Sequence, residues 1–223
     1  MNIRSMYYFS SISQFNIFSS FLDECKWKIE KQLLKERVIQ YQSHPMFIQM
    51  RNKFNENDIS IFPLKSEEII TWFDTMLILK RITSELFHKG ISMENTSIFM
   101  EYPLIYGNHM RSDYLIVYDR LIIVLEFGMF NQDEKRSEER YTKKLQESIN
   151  HRQILANMIH SNVEVVNYVM IYRPEYDRYI KREIVENINY NHNETKLLAN
   201  FIANKVKLQQ EFSALAQLEK ISF

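Results

Sequence analysis

The sequence predicts an α/β domain in which helices flank a mixed sheet of four to five strands. Three observations carry this. Three strand-length apolar runs follow one another closely, SIFMEYPLI (97–105), SDYLIVY (112–118) and LIIVLEF (121–127). A fourth, VEVVNYVMIY (163–172), returns after a long helical pattern, and further helical patterns border the block on both sides. Strands that are followed by a helix and a returning strand imply a mixed sheet covered by helices.

Residues 7–18 are apolar and aromatic, and read as a short strand or turn leading into a helix. Residues 20–53 read as helical, with Phe21, Cys25, Ile29, Leu33 and Leu34 near one face. The polar stretch FNENDISIFPLKS is a loop ended by a proline. Ser66 is the expected N-cap of the next helix, with Glu67 and Glu68 in its first turn. Ile69, Phe73, Met76, Leu79, Ile82 and Leu86 then recur at helical spacing, and Gly90 closes the helix. After the strands, the mixed-charge run DEKRSEER (133–140) is a solvated loop and helix start, with a helix through 137–160 carrying Tyr141, Leu145, Leu155 and Ile159 as its apolar stripe. RPEYD ends the fourth strand, and helical patterns resume at about 178–188 and 194–220. The last carries Leu197, Leu198, Phe201, Ile202, Leu208, Phe212, Leu215 and Leu218, a stripe suited to packing on the sheet or to a partner. The expected division is an N-terminal helical extension (1–65), a core (66–190) and a C-terminal helix packing on it (191–223).

Composition narrows the function classes. The 223 residues carry 28 basic and 28 acidic side chains, so the chain lacks the net positive charge of a nonspecific DNA coater. Any nucleic-acid contact must come from a local groove or a partner. Cys25 is the single cysteine, which excludes a disulfide framework and a cysteine zinc site and fits a reducing cytoplasm. The aromatic start, interrupted by Ser, Gln and Asn, does not read as a signal peptide, and no apolar run is long enough for a membrane-spanning helix. Three glycines, at 90, 107 and 128, cannot build a phosphate loop, so ATP binding is not supported. The six histidines show no zinc-binding spacing.

The chemistry concentrates at one end of a predicted hairpin. If Asp119-Arg120 is the loop, Tyr118 pairs with Leu121, Asp113 falls opposite Glu126, and Arg111 falls opposite Gly128. Directly opposed residues have Cβ atoms roughly 4.5–5.5 Å apart. Two adjacent carboxylates at the end of an apolar hairpin repel each other and need a cation unless protonated. Mg²⁺ (or Mn²⁺) suits oxygen ligands and keeps coordination sites for water and phosphate. The alternative is that Asp113 merely starts a strand and Glu126 sits on an exposed strand end.

The segment IFMEYPLIYGNHMRSDYLIVYDRLIIVLEFGMF resembles the PD-(D/E)XK nuclease superfamily, whose pattern is an Asp on one core strand and Glu-x-Lys on the next. Arg111-Ser112-Asp113 and Leu125-Glu126-Phe127 carry the match. The helix containing Trp72 and the later IYRPEYD look similar to the nuclease-like domain ahead of some bacterial DNA/RNA helicases. The resemblance spans about residues 66–177 and implies a restriction-endonuclease-like core with DNA as substrate. It also implies metal ligation by Asp113, Glu126 and the carbonyl of Phe127.

The chain departs from the pattern where the motif lysine is expected, at Gly128. Three replacements are open: Arg111 filling the space at Gly128 and holding phosphate, Lys143 or Lys144 reaching in from the next helix, or none. The last would make the protein a pseudo-nuclease that binds nucleic acid or a partner without cutting. The plain alternative for Arg111 is a salt bridge to a local acid; it cannot act as a base. Relatives often carry a Gln on the following helix, and Gln146 matches, with Gln153 on the same face; the plain alternative is a solvated polar face. Glu85 or Glu68 is a candidate third carboxylate, with surface placement as the alternative, and His109 lies near the predicted strand end. The function expected is a metal-dependent endonuclease or exonuclease acting on DNA, in restriction or phage defence. A helicase or defence-system subunit is the expected protein partner, and a homodimer is compatible with the sequence.

Overall fold

The computed structural model describes residues 5–30, 33–56, 63–104, 110–129, 134–172 and 192–211. RPEYD, the helical pattern at 178–188, His109 and the end of the C-terminal pattern beyond 211 lie outside the described residues.

The fold is α/β, with a five-stranded mixed sheet in sequential order. β1 (Tyr7–Phe9), β2 (Ser97–Pro103), β3 (Arg111–Tyr118) and β4 (Leu121–Met129) run antiparallel, while β5 (Glu164–Tyr172) lies parallel to β4. The parallel step needs a crossover, which helix α6 (Glu134–Met158) supplies. The N-terminal segment is therefore more than a helical extension, because β1 adds a strand at the β2 edge.

The apolar runs form strands because both faces of the sheet are covered. Ile98, Met100, Tyr114, Ile116, Leu121, Ile123, Leu125 and Phe127 share the larger core with α5 (Ser66–His88) and with α7 (His192–Glu211). On the opposite face Leu115, Val124 and Leu155 of α6 form a smaller core. Alternation along β4 thus puts Glu126 and Gly128 on the α6 side. The β3–β4 register is the expected one, with Tyr118 opposite Leu121 and Tyr114 opposite Leu125. Asp119 takes φ 46°, the positive value that a two-residue hairpin turn requires at its first position.

The long helix expected over residues 20–53 is broken into α2 (Phe21–Glu24), α3 (Leu34–Tyr41) and α4 (Pro45–Glu56), after the short α1 (Ile12–Phe18). Lys26 is left-handed (φ 52°), which no α-helix tolerates, and Pro45 opens α4 at the position where a missing N–H costs nothing. Tertiary contacts hold the break. Trp27 Nε1 donates to Asp74 of α5 (2.9 Å), and Arg37 of α3 grips the same carboxylate with two nitrogens (2.7 and 2.8 Å). Arg37 and Asp74 are fully buried, so the N-terminal helices are clamped to α5 by a desolvated ion pair. At the start of α5, Ser66 is the first helical residue rather than the cap; Lys65 precedes it in extended conformation without a capping hydrogen bond. Among the described residues no helix is long and apolar enough to cross a membrane.

Candidate active site

The site forms where the β3–β4 ladder ends. Beyond the Tyr114–Leu125 pair, the side chain of Asp113 takes over the bonding, and its Oδ2 accepts the N–H of Phe127 (2.7 Å). In an extended residue the N–H and C=O leave the same strand edge, so the Phe127 carbonyl also faces β3. Glu126 lies on the α6 side and is 1% exposed.

Helix α6 delivers two basic groups to this acid pair. The ammonium of Lys144 lies 3.0 Å from Glu126 Oε2 and 3.4 Å from Asp113 Oδ2, with Glu147 Oε2 at 3.6 Å. His151, two turns further on and buried, places Nδ1 2.9 Å from Glu126 Oε1. Lys144, Ser148, His151 and Leu155 form one stripe against the sheet. Ser148 is fully buried and accepts from Asn167 of β5 (2.9 Å), which pins the helix in this phase.

The electrostatics follow from burial and crowding. Enclosure in protein, reinforced by the neighbouring Glu126 charge, pushes the Asp113 carboxyl up to about 6 despite Lys144. Burial also works against ionised Glu126, but the His151 hydrogen bond and the Lys144 charge outweigh it and hold its carboxyl below the usual range. Burial likewise disfavours the Lys144 ammonium, yet the two carboxylates hold its pKa well above the ordinary lysine value. In this arrangement the two carboxylates hold Lys144 as an ammonium.

A cleft of ≈ 260 Å³ opens beside the pair, and its other wall carries a second charged group. The Arg111 guanidinium lies in close contact with the carboxyl groups of Glu68 of α5 and Glu101 of β2, and 5.1 Å from the Phe54 ring centroid. Glu101 accepts from Trp72 Nε1 (2.7 Å). It adopts φ 52°, where non-glycine backbone is strained. Its side chain is 4% exposed, and burial pushes its carboxyl up to about 8 against the opposing pull of Arg111.

The structure brings together Asp113, Glu126, the Phe127 backbone and Lys144. Arg111 corrects an expectation: it does not fill the space at Gly128 but turns to Glu68 and Glu101, the local ion pairing that was its plain alternative. That space is not open. A Cβ on Gly128 would lie 2.5 Å from Ile171 Cδ1 and 3.4 Å from Arg140 Cδ. Gln146 is a second correction, since it is exposed and donates to Asn150 (3.0 Å). At about 100° per residue it lies on the far side of α6 from Lys144. Gln153 is exposed as well, and Lys143 is a surface residue beside Glu147. Glu68 lines the cleft, while Glu85 sits more than four turns further along α5. Sequence reasoning missed His151 and Glu101. The spacing of seven residues between Lys144 and His151 was the signal that could have found His151.

Among the described residues no three His, Cys, Asp or Glu side chains converge to hold a metal by themselves. The donor set of two carboxylates and a main-chain carbonyl still fits Mg²⁺, which takes one or two protein carboxylates and completes its shell with water and substrate phosphate. The Lys144 ammonium, shared by both acids, marks the position as one that favours a cation. No protein-family model matches the chain, and no curated protein matches it.

Proposed function

We propose that the chain is a metal-dependent nuclease of PD-(D/E)XK type that hydrolyses phosphodiester bonds, with DNA as the substrate. One observation carries this reading: two carboxylates from adjacent strands share a single cationic group beside a cleft that Asp113 and Lys144 line. The resemblance of the β2–β4 sequence to that superfamily supports it. Asp113 Oδ2, Glu126 Oε2 and the Phe127 carbonyl would hold Mg²⁺ or Mn²⁺. Bound there, the ion would polarise the attacking water and neutralise charge on the phosphate oxygens.

The protein's own groups do the rest. Lys144 takes the place of the missing motif lysine, from the helix instead of the strand. Its charge stabilises the negative charge that builds on the phosphate and orients the attacking water by hydrogen bonding. The low exposure of Glu126 strengthens these interactions by excluding bulk water. Arg111, one-fifth exposed between Glu68 and Glu101, is the cleft residue able to contact a flanking phosphate.

A second reading rests on the same lysine. Lys144 already neutralises the acid pair, so a protein that binds nucleic acid or a partner subunit without cutting is compatible with the geometry. Cleavage of end-labelled DNA and RNA, with Mg²⁺, Mn²⁺ or EDTA, separates the two. The nuclease reading predicts metal-dependent cutting of DNA that Glu126→Gln and Lys144→Met each reduce at least a hundredfold. Cutting that Glu126→Gln leaves unchanged would refute the site, and intact substrate under all conditions would favour the binding protein.

A further inference from the structure

The buried His151 has no part in the chemistry above, yet it holds one of the two carboxylate oxygens of Glu126. We propose that His151 is a positioning residue that fixes which oxygen Glu126 presents to a divalent cation. This rests on the metal-site reading and goes beyond it.

A carboxylate on a strand end can rotate about its last torsion and exchange its two oxygens. Glu126 is denied that freedom. His151 Nδ1 lies 2.9 Å from Oε1, so Oε2 alone is left to face Lys144 and Asp113. An ionised carboxylate only accepts hydrogen bonds, so Nδ1 carries the proton of this contact. One helix supplies both restraints: Lys144 and His151 are seven residues apart, a rise of about 10 Å, so α6 spans Glu126 with one contact to each oxygen. Ser148, between them, is anchored to Asn167, and Leu155 is buried in the smaller core, so the helix that carries the imidazole is held in this phase. A cation binding at Oε2 would leave the His151 contact at Oε1 intact. This is the outer-shell arrangement that orients a ligand and whose loss typically costs 10–100-fold in metal affinity.

The test is Mn²⁺ affinity, measured by titration calorimetry on the full chain. The proposal predicts that His151→Ala weakens Mn²⁺ binding 10–100-fold. His151→Asn, whose amide nitrogen can occupy the place of Nδ1, should stay within about threefold of wild type, by the same hydrogen-bond geometry. Should the alanine variant lack the wild-type circular dichroism spectrum, His151→Gln replaces it. Its amide lies nearer the Nε2 position, away from Glu126, so the same weakening is expected. A role confined to core packing would lower the melting temperature and leave the Mn²⁺ affinity unchanged. Wild-type affinity in His151→Ala or His151→Gln therefore overturns the positioning role and spares the metal site. No Mn²⁺ binding by the wild-type chain overturns both.

Discussion

Replacing Glu101 by glutamine should change how stability depends on pH, by an amount that the structure lets one work out. Glu101 is 4% exposed, and burial raises its carboxyl from the ordinary 4.5 to about 8 in the folded chain. Between those values the unfolded chain has lost the proton and the folded chain keeps it. The unfolded state binds fewer protons, so stability is fully present below about pH 4.5 and is lost as pH rises toward 8. The slope is about 1.4 kcal/mol per pH unit, which from pH 5 to 7.5 accumulates to roughly 3 kcal/mol. The substituted glutamine would keep an oxygen for Trp72 Nε1 and would not titrate, while Arg111 would retain Glu68. Urea unfolding of both proteins from pH 4.5 to 8.5 is the assay. The Glu101→Gln curve should lie close to wild type at pH 5 and above it by roughly 3 kcal/mol at pH 7.5. Two parallel curves would show that Glu101 ionises normally in the fold, and would remove the account of its burial.

Three further outcomes follow from the same contacts. Arg37→Met leaves the Asp74 carboxylate buried without its cation and should cost about 3–5 kcal/mol in urea unfolding, whereas Lys143→Met, at the surface, should cost under about 0.5. Gly128→Ala puts a methyl against Ile171 Cδ1, the tip of a half-buried side chain that can turn aside, and should destabilise by at most about 1 kcal/mol; Ile171→Val removes that atom, so adding Gly128→Ala to it should cost less still. Mn²⁺ binding should expel protons, because Asp113 is raised to about 6 and must ionise to ligate; titration calorimetry in buffers of different ionisation enthalpy should show release at pH 6 that largely vanishes by pH 8 in Glu101→Gln.

Much of this was legible in the sequence because strand faces and hairpin registers are local properties. The halves of β3 and β4 next to the turn, 114–118 and 121–125, are apolar runs joined by two residues, and a short turn leaves few registers that keep both faces buried. Asp113 and Glu126 could therefore be paired before any coordinates. The helix was harder. Lys144 and Gln146 lie on opposite sides of α6, so they could not both serve the site. Choosing between them needed the helix phase, which Ser148 and Leu155 set by burial against β5 and the smaller core. Glu101 was illegible for another reason. Strand alternation aims it at the α6 face, and only its left-handed backbone turns it toward Trp72. The broken N-terminal helix depends on contacts of Trp27 and Arg37 with Asp74, more than thirty residues away, which no window of local periodicity contains.

The metal site proposed at Asp113 and Glu126 is tested most directly by anomalous scattering from a crystal of the protein grown with Mn²⁺. A peak about 2 Å from an oxygen of each carboxylate, with the Phe127 carbonyl turned to it and the Lys144 ammonium moved off the pair, is the predicted result. A map in which Lys144 still bridges both acids at saturating Mn²⁺, with the metal bound elsewhere or not at all, would contradict it.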